Sequence, residues 1–178
     1  MMRGIKAITP SVVALSLCGV LFLMAEGASG QNMSEQERKI VSEQERNRAL
    51  VSEGFAKWAS GSGSPYDLLA DGARWTITGK SLAAKTYPSK EAFLSEVIRP
   101  FNARMRDRLV PTVNRIYADG DTVIVHFDAS GAASDGKPYV NSYAWILRLE
   151  EGRIVEAHAF FDSIAFDDLW RRVAPTAK

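Results

Sequence analysis

The chain has 178 residues, room for one ordinary domain and a short leader. Hydrophobic residues make up 46% and charged residues 24%, the balance of a soluble globular protein. A formal net charge of +1 leaves no electrostatic case for a nucleic-acid partner.

The first thirty residues are unlike the rest. Arg3 and Lys6 form a small positive start, and an apolar run from Val12 to Ala25 follows, broken by Ser16 and Gly19. Ala28-Ser29-Gly30 then puts small residues before Gln31. The pattern predicts a signal peptide over residues 1–30, cleaved near Gly30, and an exported product in the periplasm or medium. The run is shorter than the ~20 apolar residues that span a bilayer, so an uncleaved anchor is the second reading. A lipoprotein is the third, because Leu17 precedes Cys18 where a small residue is expected. Cleavage would remove Cys18, the single cysteine, and leave as many basic as acidic residues. The mature domain would then have no disulfide, no thiol chemistry and no membrane attachment. A chain of about 150 residues can bury a self-sufficient core.

Residues 31–41 are expected to form a flexible or helical extension, ahead of a domain over residues 42–175. A short duplication, SEQERKIV then SEQERNRALV, starts at Ser34 and again at Ser42. Each copy opens with a capping-box pattern, Ser34 with Glu37 and Ser42 with Glu45, in which each side chain satisfies the other residue's free amide. The repeat reads either as a partner-binding element or as a frayed helix start. The first helix proper carries Leu50, Val51, Phe55 and Trp58 on one stripe and stops at the Gly61-Ser62-Gly63-Ser64-Pro65 connector. A single helical turn over Tyr66–Ala70 leads into a strand at 74–78. Ser89 caps a helix with Phe93, Leu94, Val97, Ile98 and Phe101 at helical spacing, which Pro100 should kink or end. Arg99, Arg104, Arg106 and Arg108 follow, either as a solvated face or as an anion site.

Leu109 to Asp162 is the scaffold. Gly120, Gly136 and Gly152 fall sixteen residues apart, each at a turn: Asp119-Gly120-Asp121, Asp135-Gly136-Lys137 and Glu151-Gly152-Arg153. Glycine supplies the positive φ of tight hairpins. β-Branched and aromatic residues fill the intervals, and Thr122–Asp128 alternates, with Val123, Val125 and Phe127 on one face. Four strands in an antiparallel meander follow. Ile164 to Val173 closes the chain as a helix carrying Leu169, Trp170 and Val173. Helices on one face of a curved antiparallel sheet make an α+β architecture. A sheet that curls around its helices leaves a ligand pocket at its open end.

Three segments carry a family resemblance: LADGARWTITG from Leu69, DGKPYVNSYAW from Asp135, and GRIVEAHAFFD from Gly152. With the helix order they cover roughly residues 42–173. The chain resembles the nuclear transport factor 2-like superfamily of cone-shaped α+β barrels, and within it the SnoaL-like, ketosteroid-isomerase-related group. The resemblance implies a cone enclosing a small apolar molecule, and homodimerisation through the outer face of the sheet. It does not fix an activity, because the fold hosts isomerases, cyclases, epoxide hydrolases, dehydratases and non-catalytic binders. The Tyr and two Asp of ketosteroid isomerases match positions near Phe55, Ile77 and Ala144, so that mechanism is not supported. The Arg-x-Asp pair of limonene-epoxide hydrolases is matched by His126-Phe127-Asp128, and a second Asp of that group by Ala159. The base of SnoaL-like cyclases, an Asp ending the last strand, matches Asp162.

Asp162 can remove an acidic proton beside a carbonyl if apolar walls raise its pKa. Equally, an Asp directly before a helix is a preferred N-cap. His126 and Asp128 share a strand face and can share a proton, or can both face solvent at the start of a long hairpin. His158 and Glu156 share the parity of Asp162, but no tight metal-ligand spacing is present, so no metal is expected. Trp58, Trp75, Tyr87, Asn141, Tyr143, Trp145 and Phe160 are expected to line an aromatic pocket, against the plainer reading of aromatic core. No phosphate loop, catalytic triad or nucleotide fingerprint occurs, and no cofactor is expected. Two functions stand. One is an exported domain that binds a small apolar molecule, with acid/base chemistry through Asp162 aided by His126, Asp128 or His158. The other is a non-catalytic binding or dimeric interaction module.

Overall fold

A computed structural model describes residues 34–176. The expected leader, residues 1–30 with Arg3, Lys6 and Cys18, lies outside the described residues. Helix α1 (Glu35–Ser60) starts at the first of the two repeated motifs. Ser34 Oγ accepts from the Glu37 amide at 3.2 Å and the Glu37 carboxylate accepts from the Ser34 amide at 2.7 Å, a reciprocal cap. The second motif makes no cap, because Ser42 lies inside the helix and its hydroxyl donates to the Lys39 carbonyl at 2.9 Å. Gly61, at φ +80°, ends the helix in the left-handed conformation that a side chain would oppose.

A 3-10 turn (Pro65–Leu68) leads into β1 (Leu69–Ile77), then a short β2 (Thr86–Tyr87) that the sequence pattern did not predict. Ser89 caps the next helical segment, accepting from the Ala92 amide at 3.1 Å. It runs as α2 (Lys90–Phe93), a π-turn (Leu94–Ile98) and α3 (Arg99–Asn102). The segment continues past Pro100 for two residues, to Asn102. Proline has no amide hydrogen and crowds the carbonyl four residues before it. Widening to a π-turn just ahead of Pro100, with the Arg99 amide bonded to the Leu94 carbonyl, accommodates both effects.

The meander forms as β3 (Val110–Asp119), β4 (Thr122–Ala132), β5 (Pro138–Glu150) and β6 (Arg153–Phe161), followed by α4 (Ser163–Arg172). Gly120, Gly136 and Gly152 take φ of +56°, +86° and +76° in its three turns. The sheet order is β2-β1-β6-β5-β4-β3. Every adjacent pair is antiparallel except β1–β6, which is parallel with Trp75 opposite Ala157. The curved sheet is thus mixed and open, not wholly antiparallel. Its parallel pair joins strands more than 80 residues apart, with α2, α3 and the meander between them, and local patterning carries no information about such a partner.

Alternation divides the sheet into two faces. Val123, Val125, Phe127, Tyr143, Trp145, Leu147 and Ala159 point inward and are buried. α1 seats Phe55 against Phe127 and Trp145, at centroid distances of 4.8 and 5.4 Å. α4 brings Phe166 against Phe161 at 5.1 Å and Phe101 at 6.2 Å. Among the described residues no helix covers the outer face. Tyr117, Ile124, Ile146 and Phe160 stand on it at 57, 36, 36 and 41% exposure.

Candidate functional site

The inward residues of β1, β5 and β6 meet the helices in a chamber of about 60 Å³. Its walls are aromatic. Trp75 stacks on Phe93 at 4.3 Å, and Trp145 meets the Trp75 ring edge-on at 5.0 Å. Tyr143 stacks on Phe127 at 4.8 Å, and Trp58 lies flat against Trp145 at 6.0 Å. A wider mouth of about 520 Å³ adjoins it, between the end of α1, the 3-10 turn and the α2–α3 segment. Trp58, Tyr66, Ile98, Phe101 and Leu109 belong to the walls of both spaces. Lys90, Arg108 and Asp67 stand at the mouth, where Arg108 donates to the Trp58 and Ala59 carbonyls at 2.7 Å each and so caps α1.

Among the described residues no carboxylate, imidazole or ammonium lines the inner chamber. The residues of its wall with polar groups are Tyr66 and Tyr143, with their hydroxyls, and Trp58, Trp75 and Trp145, with their indole N–H groups; that of Trp75 is buried without an acceptor among the described residues. Tyr143 Oη lies 3.0 Å from Tyr139 Oη, and Asn141 Nδ2 donates to Tyr139 Oη at 3.0 Å. Burial pushes the Tyr143 phenol well above its ordinary range, and does the same to Tyr66. Tyr139 is also raised by burial. These phenols are therefore neutral hydrogen-bond donors at physiological pH, not bases.

The structure distributes the residues singled out from the sequence over three places. Trp58, Trp75, Tyr143 and Trp145 line the chamber. Asn141 sits one layer behind, with its amide clamped on Asp162: Nδ2 donates to the Asp162 carbonyl and Oδ1 accepts from the Asp162 amide, both at 3.0 Å. Tyr87 is buried against Phe93, its hydroxyl donating to the Ala83 carbonyl at 2.7 Å, and does not reach the chamber wall. Asp162 is exposed at the start of α4, where Oδ1 accepts from the Ile164 amide at 2.8 Å, the geometry of a helix cap.

His126, Asp128, His158 and Phe160 all stand on the outer face, because β4 and β6 direct their alternate residues away from the helices. None of them lines the chamber. Asp128 accepts from Asn114 Nδ2 at 2.8 Å and from the Ser142 hydroxyl at 2.5 Å. Those bonds, the Asn114 one foremost, hold its carboxyl below the usual range, which suits a fixed acceptor and not a base. His158 Nε2 lies 3.8 Å from Glu156, which Arg74 also engages at 2.6 Å. No group of three His, Cys, Asp or Glu side chains suited to a metal occurs among the described residues. Ala144, at the position of an isomerase Asp in the resemblance, points outward too; the inward neighbours are Tyr143 and Trp145.

Sequence reasoning missed Tyr66, Phe93, Phe101 and Phe166 as chamber residues. Phe93 and Phe101 were recognised only as a helical stripe, and Tyr66 only as part of a turn. Tyr139 was missed although it shares the inward parity of Asn141, Tyr143 and Trp145 on β5.

Solved structures of this shape are numerous. A protein from a soil-derived mobile gene cassette, Bal32a, superposes with a TM-score of 0.61 at 23% identity, over 72% of this chain and 99% of its own. An NTF2-like protein from Burkholderia thailandensis E264 gives 0.59 at 22% identity, over 70% and 96%. TerC, co-crystallised with polyporic acid, gives 0.58 at 13% identity, over 71% and 98%. No curated protein matches the chain. The SnoaL-like domain matches residues 48–157, from the middle of α1 into β6 and including most of the chamber's lining residues, and the chain therefore belongs to the SnoaL-like family of the NTF2-like fold.

Proposed function

We propose that this chain is an exported binding domain for a small, largely apolar molecule, held with one end in the aromatic chamber and its body in the mouth. One observation carries the reading: the chamber presents aromatic walls and neutral donors, with no group able to take a proton. A general base must lie within hydrogen-bond reach of the proton it removes, directly or through one water. Asp162 is instead outside the chamber and occupied at the α4 terminus. The non-catalytic reading is accordingly favoured over acid/base chemistry through Asp162, His126, Asp128 or His158. TerC, with the same fold, was co-crystallised with polyporic acid, an instance of the shape meeting a small molecule.

Export rests on the sequence pattern of residues 1–30. The domain pairs as a homodimer through the outer sheet face, where Tyr117, Ile124, Ile146 and Phe160 form an exposed apolar patch that no helix covers among the described residues. The test of binding is a thermal-shift screen with apolar carbonyl compounds, epoxides, steroids and aromatic polyketides. A ligand at a hundred times its dissociation constant adds about 2.7 kcal/mol of apparent stability. Silence across the panel refutes the binding function. Turnover of a hit that is abolished by Asp162→Asn restores the catalytic reading.

A further inference from the structure

The hydrogen bonds behind the chamber have a direction. Asn141 has its amide orientation fixed by the Asp162 backbone, since only its oxygen can accept from the Asp162 N–H and only its nitrogen can donate to the Asp162 carbonyl. The second Nδ2 hydrogen then goes to Tyr139 Oη, which must accept it. Tyr139 is 2% exposed, and among the described residues the only other partner of its hydroxyl is Tyr143 Oη at 3.0 Å. A buried hydroxyl hydrogen needs an acceptor, so Tyr139 donates to Tyr143. Tyr143 Oη has accepted, and its own hydrogen is left to the chamber that its ring lines. Tyr66, on the facing wall, has no hydrogen-bond partner for its hydroxyl among the described residues, and the Trp75 indole N–H has none either.

We propose that Asn141 and Tyr139 act as positioning residues that hold Tyr143 as a hydrogen-bond donor, so that the chamber selects a neutral ligand carrying a carbonyl or ether oxygen at its leading end. The inference rests on the ligand-binding reading above and specifies which ligands satisfy it. An apolar hydrocarbon of the same shape leaves the Tyr143 donor buried without an acceptor, or traps a water there, and either outcome lowers its affinity. A carboxylate leading end is disfavoured for a different reason: the chamber offers it no cation, and an anion loses its hydration on entry. Selection for neutral acceptors thus follows from groups that hold no charge.

The experiment compares 1-indanone with indane, a pair that differs by the ketone oxygen, by calorimetry on the full chain. The expected result is that indanone binds about tenfold more tightly than indane, corresponding to one buried hydrogen bond and the cost of leaving its donor unmade. Tyr143→Phe should bring the two within about twofold, mainly by weakening indanone. A second readout needs no variant: the carbonyl stretch of indanone bound to the wild-type chain should fall below its value in hexane, as it does on accepting a hydrogen bond. Equal affinities for the pair, or a bound stretch at the hexane value, overturn the donor assignment while leaving the binding function intact. Binding of neither compound overturns both. A Tyr143→Phe chain that keeps the wild-type preference overturns the assignment to Tyr143.

Discussion

Asp162→Ala separates a capping carboxylate from a strained one, and the structure sets the size of the effect. Asp162 Oδ1 accepts from the Ile164 amide at 2.8 Å, satisfying one of the free amides in the first turn of α4. Its negative charge also sits at the positive end of that helix, an exposed arrangement that adds only a few tenths of a kcal/mol. The backbone at 162 is held independently, because Asn141 bonds both the amide and the carbonyl of Asp162. Alanine therefore loses the cap and keeps the conformation, and the loss is about 1 kcal/mol. For a domain of this size that lowers the melting temperature by about 3 °C. Asp162→Asn should lose much less, since asparagine caps about as well as aspartate and only the charge is gone. Differential scanning calorimetry at neutral pH reads both variants. An alanine variant as stable as the parent, or more stable, would refute the capping argument and point to a carboxylate held at a cost for function. An asparagine variant that falls as far as alanine would refute it as well.

Four of the five tyrosines, Tyr66, Tyr87, Tyr139 and Tyr143, have phenols raised above the ordinary value by burial, Tyr87 to about 12. The unfolded chain loses these protons near pH 10 while the folded chain keeps them, so stability is intact below ~10 and falls as the pH rises past it. Phenolate absorbance of the four should appear together with loss of the near-UV circular dichroism; ionisation of all of them in a chain that retains that signal would contradict their burial. Gly131→Ala places a methyl 3.0 Å from the Arg108 carbonyl oxygen and 2.8 Å from Met105 Cε. The methionine end can yield and the backbone cannot, so the expected loss is about 1–3 kcal/mol in a urea titration, and an unchanged midpoint would show that the 107–108 segment moves freely. Tyr117→Lys combined with Phe160→Lys puts two charges into the exposed apolar patch of the outer face. Sedimentation should show the proposed dimer become a monomer, and a wild-type chain that is monomeric at micromolar concentration ends that proposal.

The three hairpin turns were legible because the cause is local: a positive φ at Gly120, Gly136 and Gly152 selects glycine whatever surrounds it. The caps at Ser34 and Ser89 were legible for the same reason, as each is made within three residues. The repeated motif at Ser42 shows the limit of such signals, since continuation of α1 overrode its capping box. Strand parity was legible wherever alternation was clean, and it placed Val123, Val125 and Phe127 inside. The parallel β1–β6 pair was not legible, because nothing in either strand names its partner. The chamber was half legible: Trp58, Trp75, Tyr143 and Trp145 were found by residue type, whereas Tyr66, Phe93, Phe101 and Phe166 join them only when the helices fold over the sheet.

Site chemistry was harder to read because a single-residue slip reverses the face of a strand. His126, Asp128 and His158 combine the right chemistry with the wrong parity, and Ala144 was matched to an acid although its side chain points outward. Of the three positions matched to an isomerase's Tyr and two Asp, Phe55 and Ile77 are inward and apolar. Charges at those positions would have to be desolvated among Trp75, Trp145 and Phe127, a cost that an enzyme bears for its pKa shift. This chain places hydrocarbon at both positions, and among the described residues no carboxylate, imidazole or ammonium lines the chamber. The polarity that lines the chamber comes from hydroxyl and indole donors, which can be buried at far lower cost than ions and still discriminate between a ligand oxygen and a ligand methylene.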